Sequence, residues 1–477
     1  MFDSIRGKTP GSQTADASQT IPRQKGDMAE SGALHAEAPV KTNAKAPTAA
    51  MDKPVQPIES RRLGKDEPLT LRAATFLGDA LDTLDRRRTE TAPFARISMP
   101  DAGEKQTGPW ALVPKHKRPK RNRHSRKKVA FLRYGYYDIV FKFFVEHVLD
   151  ADFVALPEPT RKTIEMGSAA SNDFVCAPFK HILGDYMEAL ELGADVLVQF
   201  TGPCRLGYYG ELQESILRDA GYEFEMLNFA TVTGKPLQDY ISLCKKKVNP
   251  DLSLTQGVAN MLAAFKMIES LDAYNDLFLR LAGHETEADS FERARKTYFA
   301  DMRAASCRHD IDEAQKRGIA ALEQLPVSVP ADPVRVGIVG EYFTAVDAAS
   351  NLDLERKFLD MGVELYRMMN LTNRNLHYNE PNLRRSVSEY VNFDMGPTST
   401  MTIAAAKNYA EQGFDGIVHL KSSGCTPEID CMPVLQRISR DYRIPILFLS
   451  YDSQTSDTGL DTRIEAFYDM IAMRKAR

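Results

Sequence analysis

The chain has 477 residues, 43% of them hydrophobic, six cysteines and a formal net charge of −4. That length exceeds one ordinary core and points to two or three folded units. No run approaches the roughly 20 apolar residues of a membrane span, and the N-terminus lacks a signal peptide's apolar core, so a cytosolic, non-membrane protein is expected. In a reducing compartment its cysteines are expected as ligands, redox groups or core residues, not as a disulfide framework.

Residues 1–125 are rich in Ala, Pro, Thr, Gln and charge and are expected to be mostly disordered. Within them, Leu69 to Arg87 places Leu71, Phe76, Leu77, Leu81 and Leu84 at helical spacing. The basic run Lys115 to Lys128 holds nine Lys or Arg and no acid, so the rest of the chain carries a formal charge of −13. No aromatic residue interleaves those charges, which favours a solvated linker over a nucleic-acid surface.

A first α/β domain is expected over 126–235. It opens with the strand Val129–Leu132 and a helix from Tyr136 to Leu149, with Ile139, Val140, Phe143, Phe144 and His147 in register. A strand around Phe153–Leu156 follows. Phe174–Val175 then leads into Cys176 and a helix to about Leu192, and the strand Val196–Phe200 leads into Cys204 and a helix ending near Gly221. Residues 236–330 read as a helical block: Leu262, Phe265, Ile268 and Leu271 mark one helix, and Ala288 to Leu325 supplies one or two more. A second α/β domain, 331–477, has strands at Val334–Val339, Val363–Tyr366, Gly416–Leu420 and Ile444–Leu449. Its helices are expected after Asn351, over Met401–Glu411, from Pro427 and from Leu460. This alternation argues for an α/β fold with parallel sheets covered on both faces.

One unit is used twice. Glu191-Leu-Gly193-Ala-Asp195-Val-Leu-Val198 precedes Cys204, and Glu411-Gln-Gly413-Phe-Asp415-Gly-Ile-Val418 precedes Cys425. Each reads as a helix end, a glycine stop and a buried strand that delivers a cysteine. Cys176-Ala-Pro178 and Cys425-Thr-Pro427 put proline where the first helical turn tolerates it, and Gly202-Pro-Cys204-Arg205 follows its strand directly. Sulfurs at helix N-termini are expected to favour thiolate. Taken singly, each cysteine fits a small buried core residue. Three thiolates from separate segments instead suggest a soft metal site at the carboxyl edge of the sheets.

At these motifs the chain resembles the iron–sulfur component of the 2-hydroxyacyl-CoA dehydratase family, in particular its activase-related branch. The resemblance runs from about Val129 to the C-terminus and includes Phe174-Val-Cys176-Ala-Pro-Phe-Lys180, Gly202-Pro-Cys204-Arg-Leu-Gly-Tyr-Tyr-Gly210-Glu211, Gly424-Cys425-Thr-Pro-Glu428 and Asp452-Ser-Gln-Thr455. It implies two flavodoxin-like or Rossmann-like domains that hold a 4Fe-4S cluster on facing loops. It also implies a separate ATP-hydrolysing activator of the actin/HSP70 type that feeds in one electron, and radical elimination of water from an acyl-CoA-type substrate. Cys176, Cys204 and Cys425 look like the cluster ligands, with Cys431 as a candidate fourth.

Lys180 and Arg205 flank those ligands and are candidates to offset cluster charge or orient an acyl-CoA group. Glu341 and Glu428 are candidates for a supporting shell around the ligands. Tyr208 and Tyr209 read as packing residues at a helix start. Zinc held by the three cysteines with His181 or His419 is the alternative metal reading. Cys244, beside Lys245–Lys247, and Cys307, two residues before His309, receive no role. Gly337-Ile-Val-Gly340-Glu341 lacks the third glycine of a dinucleotide fingerprint. The reading is therefore an oxygen-sensitive iron–sulfur protein that acts in electron transfer or dehydration. A noncatalytic cluster-bearing scaffold or assembly factor is the competing class, and either form is open to oligomerisation.

Overall fold

The computed structural model describes residues 126–200, 206–229, 237–373, 380–393, 395–452, 455 and 457–476. The N-terminal arm, including the stretch Leu69–Arg87 expected as a helix, the basic run as far as 125, and Cys204 with Arg205 lie outside the described residues. All described residues fall within one unit, Val55–Arg477.

In chain order the first half contains β1 (Lys128–Phe131), α1 (Asp138–Phe143), β2 (Asp152–Phe153), α2 (Arg161–Ala169), α3 (Ala177–Glu191), β3 (Val196–Gln199), α4 (Leu206–Asp219), β4 (Glu225–Asn228) and α5 (Leu237–Lys247). Three helices follow: α6 (Leu254–Leu281), α7 (Ser290–Ala304) and α8 (Arg308–Glu323). The second half contains β5 (Arg335–Gly340), α9 (Tyr342–Val346), α10 (Ala348–Asn351), α11 (Leu354–Leu359), β6 (Glu364–Arg367), α12 (Glu380–Ser386), α13 (Gly396–Glu411), β7 (Gly416–Ser422), α14 (Thr426–Asp441), β8 (Ile446–Tyr451) and α15 (Asp457–Lys475).

Two four-stranded sheets result, ordered β2-β1-β3-β4 and β6-β5-β7-β8, with every pairing parallel. Within each sheet the sequence is second, first, third, fourth, which matches the first four strands of the flavodoxin-like doubly wound order among the described residues. The central strands are buried on both faces, so Val196-Leu-Val198 and Ile417-Val418 read as continuous apolar runs instead of alternating ones.

The duplicated motif does the same work in both sheets. α3 ends at Glu191 and α13 at Glu411, and Gly193 (φ +90°) and Gly413 (φ +69°) take the left-handed turn that stops each helix. Two residues later an aspartate pins the first amide of the neighbouring central strand: Lys128 N–H donates to Asp195 Oδ2 at 2.8 Å, and Arg335 N–H donates to Asp415 Oδ2 at 2.8 Å. Asp415→Ala leaves that amide without its acceptor and takes from Lys475, 2.9 Å away, one of its two carboxylate partners, Asp332 at 2.7 Å being the other. A loss of about 1–3 kcal/mol in urea unfolding is expected, and a change below the error of the fit would remove the clamp from the account.

The expected strand-like run before Cys176 is not a strand. α2, capped by the Thr160 and Thr163 side chains, ends at Ala169, and the turn that follows carries Phe174, which is 92% exposed. Only Phe174 and Val175 are apolar there, and β1 already has β2 and β3 as its partners. α2 instead lies tight against α3: a Cβ on Gly167 would stand 1.8 Å from Lys180 O, and one on Gly184 would stand 2.1 Å from Thr163 O. Strand β4 and helices α2, α9, α10 and α12 are additions to the sequence reading, α5 falls within the expected helical block, and the helix begun by α1 continues as π-helix over Phe144–Val148.

The two sheets and the helical block meet at the carboxyl ends of β1, β5 and β6. Tyr134 Oη donates to Tyr342 O at 3.3 Å, and Gly135 (φ +53°) packs so closely that a Cβ would stand 2.9 Å from Val346 O. Asp272 of α6 accepts from Tyr137 Oη (2.5 Å), Tyr136 Oη (2.7 Å) and Thr372 N–H (2.8 Å), while Tyr137 Oη accepts from Leu371 N–H at 2.8 Å. That buried junction ties all three layers together beside the edge where the cysteine loops lie.

Candidate metal centre

Cys176 is the N-cap of α3 and Cys425 the N-cap of α14, each with proline in the first helical turn, as the Cys-x-Pro spacing requires. Cys425 reaches its place through the turn after β7, where Gly424 adopts φ +77°. A Cβ on Gly424 would stand 3.6 Å from Cys176 Cα and 3.6 Å from Phe174 O, so the two cysteine loops meet backbone to backbone. The loop that carries Cys204 lies outside the described residues. Its C-terminal flank does not: Tyr209, in the first turns of α4, brings its Oη to 3.3 Å from Cys176 Sγ.

Electrostatics at Cys176 differ from the helix-terminus expectation. Burial pushes its thiol upward and the nearby Glu341 carboxylate adds to that, against the lowering effect of Tyr209 and the Phe179 amide. Without a metal the neutral thiol is therefore favoured, because desolvation outweighs the helix end. A bound cation reverses this balance by stabilising the thiolate.

Behind Cys425 lies a hub centred on Glu428. Its Oε1 accepts from Thr402 Oγ1 at 3.1 Å and its Oε2 lies 2.8 Å from His419 Nε2, while the Cys431 thiol approaches Oε2 at 3.4 Å and Glu428 O at 3.3 Å. His419, Glu428 and Cys431 are fully buried, and their ligand atoms lie within 4.8 Å of one another, a group that could hold a metal ion. With a metal on Nε2 the ring proton must sit on Nδ1, which has no hydrogen-bond partner among the described residues. Metal-bound histidines ordinarily donate that proton to an acceptor, so the hydrogen-bonded arrangement is the better satisfied one. Burial and Glu428 hold the Cys431 thiol well above its ordinary range. Service as a fourth ligand would require it to leave Glu428.

Glu341 directly follows β5 and caps α9, accepting from Phe343 N–H (2.9 Å), Thr344 N–H (2.8 Å) and Thr344 Oγ1 (2.7 Å). Burial raises its pKa and the Glu428 carboxylate contributes in the same direction. Lys180 sits on α3 with Nζ 3.5 Å from Asp173 O. His181, the other candidate in the zinc reading, instead approaches Ser350 Oγ across the lobes at 3.3 Å, and Ser350 in turn donates to Asp347 Oδ2 at 2.6 Å. A crevice of about 10 Å³, space for one water, lies between Pro178 and His181 on one side and Thr344, Ser350 and Asp452 on the other.

The remaining cysteines stand apart. Cys244 is buried in α5 and burial pushes its thiol to about 12, whereas Cys307 is exposed at the start of α8. Iodoacetamide at pH 8 is expected to alkylate Cys307 and spare Cys244 in the folded protein, read by peptide mass spectrometry. Labelling of both at equal rates would contradict the packing of α5.

These features define a two-lobed α/β protein in which two helix N-caps, Cys176 and Cys425, lie on loops that meet at Gly424. The family model for 2-hydroxyglutaryl-CoA dehydratase, D-component, matches residues 369–471, so this C-terminal segment is similar to that family. The matched span contains His419, Cys425, Glu428 and Cys431; Cys176, Cys204 and Glu341 precede it. A search of curated proteins gave no match. No helix among the described residues is long and apolar enough to cross a membrane.

Proposed function

We propose that the chain is the iron–sulfur component of a 2-hydroxyacyl-CoA dehydratase-type system in the cytoplasm, with Cys176, Cys204 and Cys425 as ligands of a 4Fe-4S cluster. The reading also divides the chain into the arm 1–125, α/β domains at 126–235 and 331–477, and a helical block at 236–330. The observation that carries it is the meeting of the Cys176 and Cys425 loops at Gly424. The donor set fits the group: soft sulfur ligands at two helix caps, one of them within the family match. A bound cluster of this type supplies a low-potential electron and a Lewis-acidic iron.

The chain's own residues hold the site in place. Gly424 lets the two loops close, Glu428 fixes α14 beneath Cys425, and Glu341 fixes the turn after β5. Electrons would come from a separate ATP-hydrolysing activator of the actin/HSP70 type. The basic run Lys115–Lys128, which a minimal dehydratase subunit does not require, favours a second reading in which the chain relays electrons or carries a cluster without turning over substrate.

Incubation of reduced, iron-loaded protein with such an activator, ATP and a panel of 2-hydroxyacyl-CoA thioesters separates the two. Formation of the enoyl-CoA product supports the dehydratase. Oxidation of the loaded protein with every thioester untouched would leave only the relay.

A further inference from the structure

We propose that Tyr209 is a positioning residue that raises the reduction potential of the metal centre by donating its phenolic hydrogen to the sulfur of Cys176; this inference rests on the cluster reading above. Tyr209 Oη lies 3.3 Å from Cys176 Sγ, although 33 residues separate the two in sequence.

The donor is held by contacts that do not involve the sulfur. The Tyr209 ring stands edge-on to Phe179, with centroids 4.7 Å apart and planes at 85°. One helical turn further along α4, the buried Gln213 donates from Nε2 to Phe179 O at 3.3 Å. Phe179 belongs to the first turn of α3, the helix that Cys176 caps. The hydroxyl and the sulfur are therefore fixed by the same α3–α4 contact.

In the free thiol either atom can be the donor. Once Cys176 ligates a metal its sulfur has no proton, and only the tyrosine can donate. Reduction places more negative charge on the ligand sulfurs, so a donor aimed at one of them stabilises the reduced state more than the oxidised one and raises the potential. Glu341 acts on the same residue with the opposite sign, because its carboxylate disfavours negative charge at Cys176. The electron comes from an external low-potential donor, and the phenol keeps its proton throughout.

The test compares wild type, Tyr209→Phe and Tyr208→Phe after anaerobic reconstitution, each titrated with titanium(III) citrate and followed by electron paramagnetic resonance. Tyr209→Phe keeps the ring against Phe179 and removes only the hydroxyl. It is expected to carry wild-type iron and sulfide but to be reduced with an equilibrium constant about tenfold less favourable, a negative shift of ~59 mV for one electron. Tyr208 is 75% exposed, and Tyr208→Phe is expected to match wild type. Equal potentials in wild type and Tyr209→Phe would overturn the proposal with the cluster reading intact. Loss of iron from Tyr209→Phe alone would replace tuning by a retention role, and an iron-free wild type would remove the cluster reading itself.

Discussion

Cys425→Ala is expected to reduce bound iron from about four atoms per chain to less than one after anaerobic reconstitution, with Cys176→Ala and Cys204→Ala behaving alike. Cys425 caps α14 at the point where its loop touches the Cys176 segment, so its sulfur is lost from a site that no neighbouring thiol replaces without rearrangement. Cys431, six residues on, is committed to Glu428 and His419. Cys307→Ala is the internal comparison, since that residue is exposed at the start of α8 in the helical block, and it should retain full iron. Equal iron in Cys425→Ala and Cys307→Ala would take Cys425 out of the ligand set. The cap geometry makes the comparison clean, because alanine removes a sulfur without disturbing the proline that starts the helix.

The second large effect is on stability. Glu428→Ala should cost about 3–5 kcal/mol in urea unfolding, in the range of a broken buried pair. The side chain serves three elements at once: Thr402 from α13, His419 from β7 and Cys431 from its own helix. All four residues are fully buried, so each donor left behind is cut off from water. Glu428→Gln retains an oxygen acceptor and should lose less. If Glu428→Ala unfolds within ~1 kcal/mol of wild type, the hub does not anchor α14, and the support proposed for Cys425 fails with it.

Much of the architecture was legible because it is written in local signals. Buried parallel strands announce themselves as short apolar runs, and the Gly193–Asp195 and Gly413–Asp415 pairs mark equivalent helix-to-strand turns in the two sheets. The Cys-x-Pro spacing located both helix caps. Features that depend on distant partners were hidden. Phe174–Val175 resembles a strand end, yet the neighbours of β1 were already taken, and helix α2 filled the space through the close approach at Gly167 and Gly184.

The candidate site shows the same division. Cys176, Cys425 and Glu428 were marked by their motif, and Glu341 by its place at a strand end. Assembly of His419 with Glu428 and Cys431 joins β7 to α14, and only the three-dimensional register of those elements reveals it. Tyr209, read from sequence as packing, both packs on Phe179 and reaches Cys176. The expected thiolate preference at Cys176 failed for a related reason: a helix end is a local feature, whereas the burial that opposes it is set by the whole fold.

Anaerobic purification and reconstitution, followed by iron and acid-labile sulfide analysis and electron paramagnetic resonance of the reduced protein, tests the central claim most directly. The account predicts about four iron and four sulfide per chain and a reduced-cluster signal that disappears in Cys176→Ala. A protein that stays free of iron after reconstitution, with its fold intact by circular dichroism, would contradict it.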